Sequence, residues 1–346
     1  MLNIAWCVIA FESQLRHTGY THEWDIRPII VQLSRHEIQN DTTSESALRN
    51  VYLTLLVLVF SVDLMSGCWA DDAKFTVRLV SFEVDAHKVV GTLTAPVSIQ
   101  KPPIVVILHG MSGNRHGSRI IGSDKAAFQE MAETWARNGV ASLRFSTRGR
   151  GGSEGDFLNM TLERRVQETI KAVEWIAEQD AFDLSKISLL GHSQGAYVAA
   201  SAATKVPDSI AVNCVVLWAP QADALVAYRR AMGRDALRQG LNAKFGEVVQ
   251  WRGAGGRVRS FRSGFFKSLS DFNTVADIRK FDGRVLVVTG RRDRWSPTWR
   301  ARVFDGASEN LTFMEFDVGH RMGADLGITE YREVSQATFD WIVDRR

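Results

Sequence analysis

Gly191-His192-Ser193-Gln194-Gly195 sets a hydroxyl between two glycines, at the junction of an apolar run and a small-residue run. Ile187-Ser188-Leu189-Leu190 precedes it, and the alanine-rich stretch 196–203 follows. Strand, G-x-S-x-G, helix is the context in which a sharp turn lifts a serine clear of a sheet edge. Side chains at the two glycine positions would clash with the neighbouring strand and helix, and the serine backbone is strained. A serine so presented can attack an electrophilic carbon if a base takes its proton and an acid orients that base.

The base is easily narrowed. His320 alone among the eight histidines follows Ser193, in Asp317-Val318-Gly319-His320, just past the last strand run. His192, beside the serine, and His109, at a strand end, read as structural. For the acid, Asp293 in Gly290-Arg291-Arg292-Asp293-Arg294-Trp295-Ser296-Pro297 follows the strand run 285–289, one strand before His320. Asp282 precedes that strand and falls at the wrong end of it, and Asp305 reads as a surface-helix residue. Asp293 would hold the His320 tautomer and stabilise the imidazolium without accepting the proton. An oxyanion formed by the attack needs two backbone donors. Gln194 N–H is one, and Met111 N–H in the loop His109-Gly110-Met111-Ser112-Gly113-Asn114 is the other.

These residues must be carried by elements that converge. Stretches 75–84 and 88–95 alternate weakly and read as an antiparallel pair. Ile104-Val105-Val106-Ile107-Leu108 is continuous and apolar, as in a strand buried on both faces. Helix 126–138, strand 140–145, helix 162–178, strand 187–190, the helix after the serine, and strand 211–218 follow in alternation. After an interruption at 221–280 come strands 285–289 and 311–316 and a closing helix over 330–343. Alternation at this spacing predicts a mostly parallel sheet covered on both sides, with the site at the carboxyl ends of its strands.

At these residues the chain resembles the α/β-hydrolase superfamily over about residues 75–346. More narrowly it is similar to the bacterial feruloyl/cinnamoyl esterase and serine aminopeptidase-like branch. The resemblance rests on H-G-M-S-G-N at 109–114, A-S-L-R-F-S-T-R-G-R-G-G-S-E-G at 141–155, N-M-T-L-E at 159–163 and G-H-S-Q-G at 191–195. W-A-P at 218–220, T-G-R-R-D at 289–293 and V-G-H at 318–320 support it. It implies an α/β-hydrolase fold with a mostly parallel eight-stranded sheet, helices on both faces and an inserted lid. It also implies Ser193, Asp293 and His320 as a triad, Met111 and Gln194 as oxyanion donors, and no metal or organic cofactor. The chain departs from the family pattern R-F-D-x-R-G at Ser146, which puts the pairing of Arg148 in question.

The interruption at 221–280 falls where this superfamily often carries a lid. Residues 228–239 read as a helix, and 247–252 with 257–261 read as a hairpin around a glycine turn. Trp251, Phe261 and Phe265 are candidates for an acyl or aryl pocket, and Arg252 for contact with substrate. Within 221–270 ten basic residues stand against three acidic ones, while the whole chain carries only +3. That charge is either a solvated face or a preference for anionic substrates or an acidic membrane surface. No recognised module argues for nucleic acid.

The ends read differently. The chain has 346 residues, 45% hydrophobic and 23% charged, enough for one large domain. Residues 1–47 show no sustained period and read as an upstream extension, with the true start near residue 48. Segment 48–70 has the shape of a secretory signal: Arg49, the apolar run 51–62, then Met65-Ser66-Gly67-Cys68-Trp69-Ala70. It would be cut after Ala70, or processed as a lipoprotein with Cys68 lipidated; a signal anchor or buried helix is the alternative. Residues 71–220 and 281–346 then form the hydrolase core and 221–280 the lid. With Cys7, Cys68 and Cys214 alone, a disulfide framework is not expected. The function expected is a serine esterase acting on a small acyl ester, secreted or periplasmic, or cytoplasmic if 48–70 is not a signal. An aminopeptidase or acyl-peptidase with the same triad is the alternative enzyme, and a hydrolase-like binding protein the non-enzymatic one.

Overall fold

The computed structural model describes residues 74–253 and 256–344, all within the unit Ala73–Arg346. The segments 1–47 and 48–70, with Cys7 and Cys68, lie outside the described residues.

Eight strands form the main sheet: β1 (Phe75–Val84), β2 (His87–Pro96), β3 (Ile104–Leu108), β4 (Ala141–Phe145), β5 (Ile187–His192), β6 (Val212–Trp218), β9 (Arg284–Gly290) and β10 (Leu311–Phe316). Their spatial order is β1-β2-β4-β3-β5-β6-β9-β10. β1 with β2 and β2 with β4 are antiparallel; every later pairing is parallel. The fold is the mostly parallel α/β arrangement that the alternating elements predict.

Strand β3 shows why the sequence folds this way. All five of its residues are buried, and successive side chains enter opposite layers. Ile104, Val106 and Leu108 join one apolar cluster, Val105 and Ile107 the other. The first layer is closed by helices α2 (Leu162–Glu178) and α3 (Gln194–Ala203) through Val166, Val173, Ile176, Val198 and Ala199. The second is closed by α1 (Ala127–Arg137) and the closing helix α9 (Ile328–Val343) through Met131, Trp135, Tyr331 and Val334. Each such large side chain taken from water contributes about 1.5–3 kcal/mol.

The chain runs from β3 to β4 on one side and then returns to β5 on the other. That reversal opens a crevice at the carboxyl ends of β3 and β5, where open α/β sheets hold their ligands.

Between β6 and β9 lies an insertion: α4 (Ala224–Met232), α5 (Arg234–Asn242), the antiparallel hairpin β7 (Val248–Arg252) and β8 (Val258–Arg262), then α6 (Ser263–Ser268) and α7 (Thr274–Ile278). Its two ends are tied together: Thr274 N–H donates to Ala222 O (2.7 Å) and Ala224 N–H to Phe272 O (3.1 Å). The single helix expected over 228–239 is two helices. Gly233 takes φ 87° at the break, and the sequence period runs straight through it. Asp305 lies just past the short 3₁₀ turn Arg302–Phe304, not on a surface helix. Helix α8 (Thr298–Ala301) precedes that turn. Among the described residues no helix is long and apolar enough to cross a membrane, and no cluster of His, Cys, Asp or Glu could hold a metal ion.

Candidate active site

Strand β5 ends at His192 and α3 starts at Gln194, with Ser193 alone between them at φ 56° and ψ −117°. That positive φ is costly for any residue with a Cβ, and the surrounding packing holds it. A Cβ on Gly191 would come 2.1 Å from Gly195 O, and one on Gly195 would come 2.3 Å from Leu108 O. The two glycines are therefore required by backbone approach: strand to helix at Gly191, helix to β3 at Gly195. Ser193 N–H donates to Trp218 O (2.8 Å), fixing the turn to β6.

Three side chains from three loops meet at this turn. His320 Nδ1–H donates to Asp293 Oδ2 (2.8 Å), which leaves Nε2 to accept from Ser193 Oγ–H (2.9 Å). The other carboxylate oxygen, Asp293 Oδ1, accepts from Trp295 N–H (2.8 Å) and Ser296 N–H (3.0 Å). Burial alone would push the Asp293 carboxyl up. The His320 hydrogen bond and charge, with the two amides, outweigh it and hold the carboxyl below the ordinary aspartate value. Asp293 is 2% exposed, so its charge acts on His320 with little screening.

Both neighbouring histidines take structural positions. His192 Nε2–H donates to His320 O (2.7 Å), tethering the His320 loop to the residue before the serine. Burial, then the His320 ring, lowers His192 to about 4, so the ring is neutral at pH 7. His109 donates from Nδ1 to Gly110 O (2.6 Å) and accepts from Thr147 N–H at Nε2 (3.2 Å). Burial, then Arg165, lowers it to about 3.

The loop after β3 crosses directly over the serine: a Cβ on Gly110 would lie 3.4 Å from Ser193 Cβ. Met111 and Gln194 both line the cavity above Ser193. Gln194 N–H is the first amide of α3 and has no acceptor within the helix. A buried cation braces both segments. From α2, Arg165 Nη2 donates to His109 O (2.6 Å) and Nη1 to Gln194 Oε1 (2.7 Å). Gln194 Nε2 in turn donates to Tyr228 Oη (2.6 Å) on α4 of the insertion. The Gln194 side chain is thus committed, although the sequence assigns a role only to its amide. Arg165 and Tyr228 escape the sequence reading. The one signal for Arg165 is its place on the apolar stripe of α2, between Leu162 and Val166.

Above Ser193 and His320 opens a cavity of about 730 Å³. Trp251 is in its wall, but Phe261, Phe265 and Arg252 are not among the lining residues. Phe265 stacks on Trp251 (ring centres 6.1 Å apart, planes 2° apart) and Phe261 packs on Phe265 at 4.3 Å, so both build the apolar core of the insertion. Arg252 turns outward to Gly256 O (2.9 Å) across the hairpin turn. The cationic wall is Arg257 and Arg259 from the hairpin, with Arg292, Arg294 and Arg321 from the loops bearing Asp293 and His320. Arg148, two residues beyond Ser146 in the motif, pairs with Glu168 (2.9 Å) on α2 and Asp85 (2.9 Å). Ser146 Oγ instead accepts from Arg115 N–H (3.1 Å).

Residues 105–332 match the model of the Alpha/beta hydrolase family. The chain belongs to the alpha/beta hydrolase family. Among solved structures, this hydrolase is similar to Est1E from Butyrivibrio proteoclasticus with ferulic acid bound. The TM-score is 0.59 at 19% identity, over 76% of this chain and 98% of that one. The esterase domain of a Rhodothermus marinus protein gives a TM-score of 0.57 at 18% identity, over 77% and 97% of the two chains. Pyrococcus furiosus esterase PF2001 gives 0.55 at 16% identity, over 78% and 92%. At such identities the likeness is one of fold. A curated relative from Escherichia coli, an uncharacterized 31.7 kDa protein in the traX-finO intergenic region, is 26% identical over 125 residues, which is 36% of this chain. The hydrolase spans 40% of that relative's length, and 33% of a second E. coli relative of the same description.

Proposed function

We propose that this hydrolase cleaves small carboxylic esters through an acyl-enzyme. The carrying observation is the unbroken relay Asp293–His320–Ser193, at 2.8 and 2.9 Å, opening onto the cavity. Ser193 Oγ attacks the ester carbonyl while His320 Nε2 takes its proton. The oxyanion that forms is met by the Met111 and Gln194 amides, and Arg165 keeps both segments in register. The imidazolium, steadied by Asp293, gives its proton to the leaving alcohol. Water then enters along the same path, His320 deprotonates it, and the acid leaves as Ser193 regains its proton. A bound ferulic acid in a protein of this fold supports a small acid or its ester as the kind of ligand that fits.

The test is a panel of 4-nitrophenyl acyl esters beside aminoacyl 4-nitroanilides, with wild-type protein and Ser193→Ala. Ester turnover that disappears in the variant, with its thermal melt unchanged, is the expected result. Turnover confined to the anilides would replace the reading with a peptidase, and equal turnover by the variant would end it.

A further inference from the structure

We infer that the ester taken by this hydrolase carries an anionic group, a carboxylate on its acyl or alcohol part, selected by the guanidinium groups of the cavity wall. The inference rests on the ester-hydrolase reading above and names its substrate class. Arg257 and Arg259 reach the cavity from the hairpin of the insertion, and Arg294 and Arg321 reach it from the loops that hold Asp293 and His320. Among the described residues none of the four has a carboxylate within the 4.0 Å of an ion pair. Arg292, the fifth arginine of the wall, is already bound to Asp317. Asp325 is the single carboxylate among the lining residues.

The placement decides between the two readings of the basic insertion. Most of its arginines lie outside the wall. Arg238 pairs with Asp235 (2.8 Å), and Arg262 reaches Gly246 O (2.9 Å) and Asp156 (3.5 Å). Those residues give a solvated face. Inside the cavity the charge comes from both the insertion and the core, and it lines the same cavity as Ser193 and His320. Arg259 is held there by donating to Ser112 Oγ, one residue beyond Met111. A concave wall of one sign concentrates the field and draws in ligands of the other sign. A guanidinium fork matches a carboxylate in shape as well as charge. Trp251 and Trp295 in the same wall supply flat apolar surface for the rest of the molecule.

The experiment uses two matched ester pairs and the full-length protein. One pair places the charge on the acyl part: 4-nitrophenyl hydrogen glutarate against 4-nitrophenyl pentanoate. The other places it on the alcohol: 4-acetoxybenzoate against 4-acetoxybenzamide. After subtraction of uncatalysed hydrolysis, kcat/KM is taken in about 20 mM and about 500 mM salt. In low salt the charged member of at least one pair is expected to lead by about tenfold, with the lead falling in high salt. That ratio is expected to collapse in R257Q/R259Q, in R294Q/R321Q, or in both, which tells which wall holds the carboxylate. It should hold in R238Q, whose arginine lies outside the cavity. Neutral esters turned over with no lead for either charged partner would overturn the inference and leave the esterase reading standing. A lead that survives both double variants would also overturn it. No turnover of any ester would remove both.

Discussion

Replacing Arg165 by Met tests how the loop 109–114, the proposed carrier of an oxyanion donor, is held. The guanidinium is buried and donates to His109 O at 2.6 Å and to Gln194 Oε1 at 2.7 Å. Methionine fills a similar length and removes both donors, leaving a buried carbonyl and a buried amide oxygen unpaired. Hydrogen bonds from a charged donor contribute about 1.5–3 kcal/mol each. Part of that loss is offset because Met no longer buries a charge whose desolvation lowers the Arg165 pKa to about 10. A net destabilisation of about 2–4 kcal/mol is expected in urea unfolding. Catalysis should suffer separately. An amide well aimed at an oxyanion contributes about 3 kcal/mol, and losing half of that from one donor lowers kcat about tenfold. KM for a small neutral ester should hardly move, because amides in the proposed oxyanion role would tighten on the tetrahedral state alone. Arg165→Lys offers a point charge that cannot fork to both acceptors, so it should recover stability better than kcat. A folded Arg165→Met protein with wild-type kcat would refute the bracing role.

Tyr228→Phe removes the partner of Gln194 Nε2 and should lower kcat about threefold in the same assay, less than the Arg165 change. Asp293→Asn leaves the geometry near intact but favours the wrong imidazole tautomer, and kcat should fall about ten-thousandfold with the fold retained on thermal melting. Gly195→Ala drives a Cβ to 2.3 Å from Leu108 O; a loss of about 3 kcal/mol or more, read by urea melt, is expected. Stability should also fall in acid. His109 and His192 titrate at about 3 and about 4 in the folded chain against 6.5 when free, so below about pH 6.5 the unfolded chain binds protons that the fold refuses. Each ring then costs about 2 kcal/mol at pH 5, and Asp293, also lowered, adds its share at still lower pH. A flat urea midpoint between about pH 8 and about pH 5 would contradict two buried neutral imidazoles.

What the sequence reveals here follows from how locally each feature is determined. Strand β3 is legible because burial on both faces makes every residue apolar. The span of α2 is legible because its apolar stripe is regular; in the structure Thr161 caps its start, accepting from Arg164 N–H. The placement of Ser193, Asp293 and His320 is legible because each lies just past a strand that ends at the same sheet edge. The side a residue faces within the insertion is not. Phe261 and Phe265 look like pocket aromatics, yet the hairpin and α6 turn them into the core of the insertion and leave Trp251 at the wall. Arg294 sits in the stretch already singled out for Asp293, and Arg321 directly follows the one singled out for His320, but their membership of the cavity depends on loop conformation that no period encodes. Arg165 is hidden for the opposite reason. A charge on a buried stripe looks like an interruption of the helix pattern until its two acceptors, from distant parts of the chain, are in place.

The central claim is that Ser193 is the nucleophile. Its most direct test is to treat the native protein with a fluorophosphonate and map the adduct by peptide mass spectrometry. One phosphonyl group on the peptide containing Ser193 is predicted, with none on Ser193→Ala and rapid loss of labelling in His320→Ala. An adduct on another residue, or equal labelling of the Ser193→Ala protein, would contradict the account.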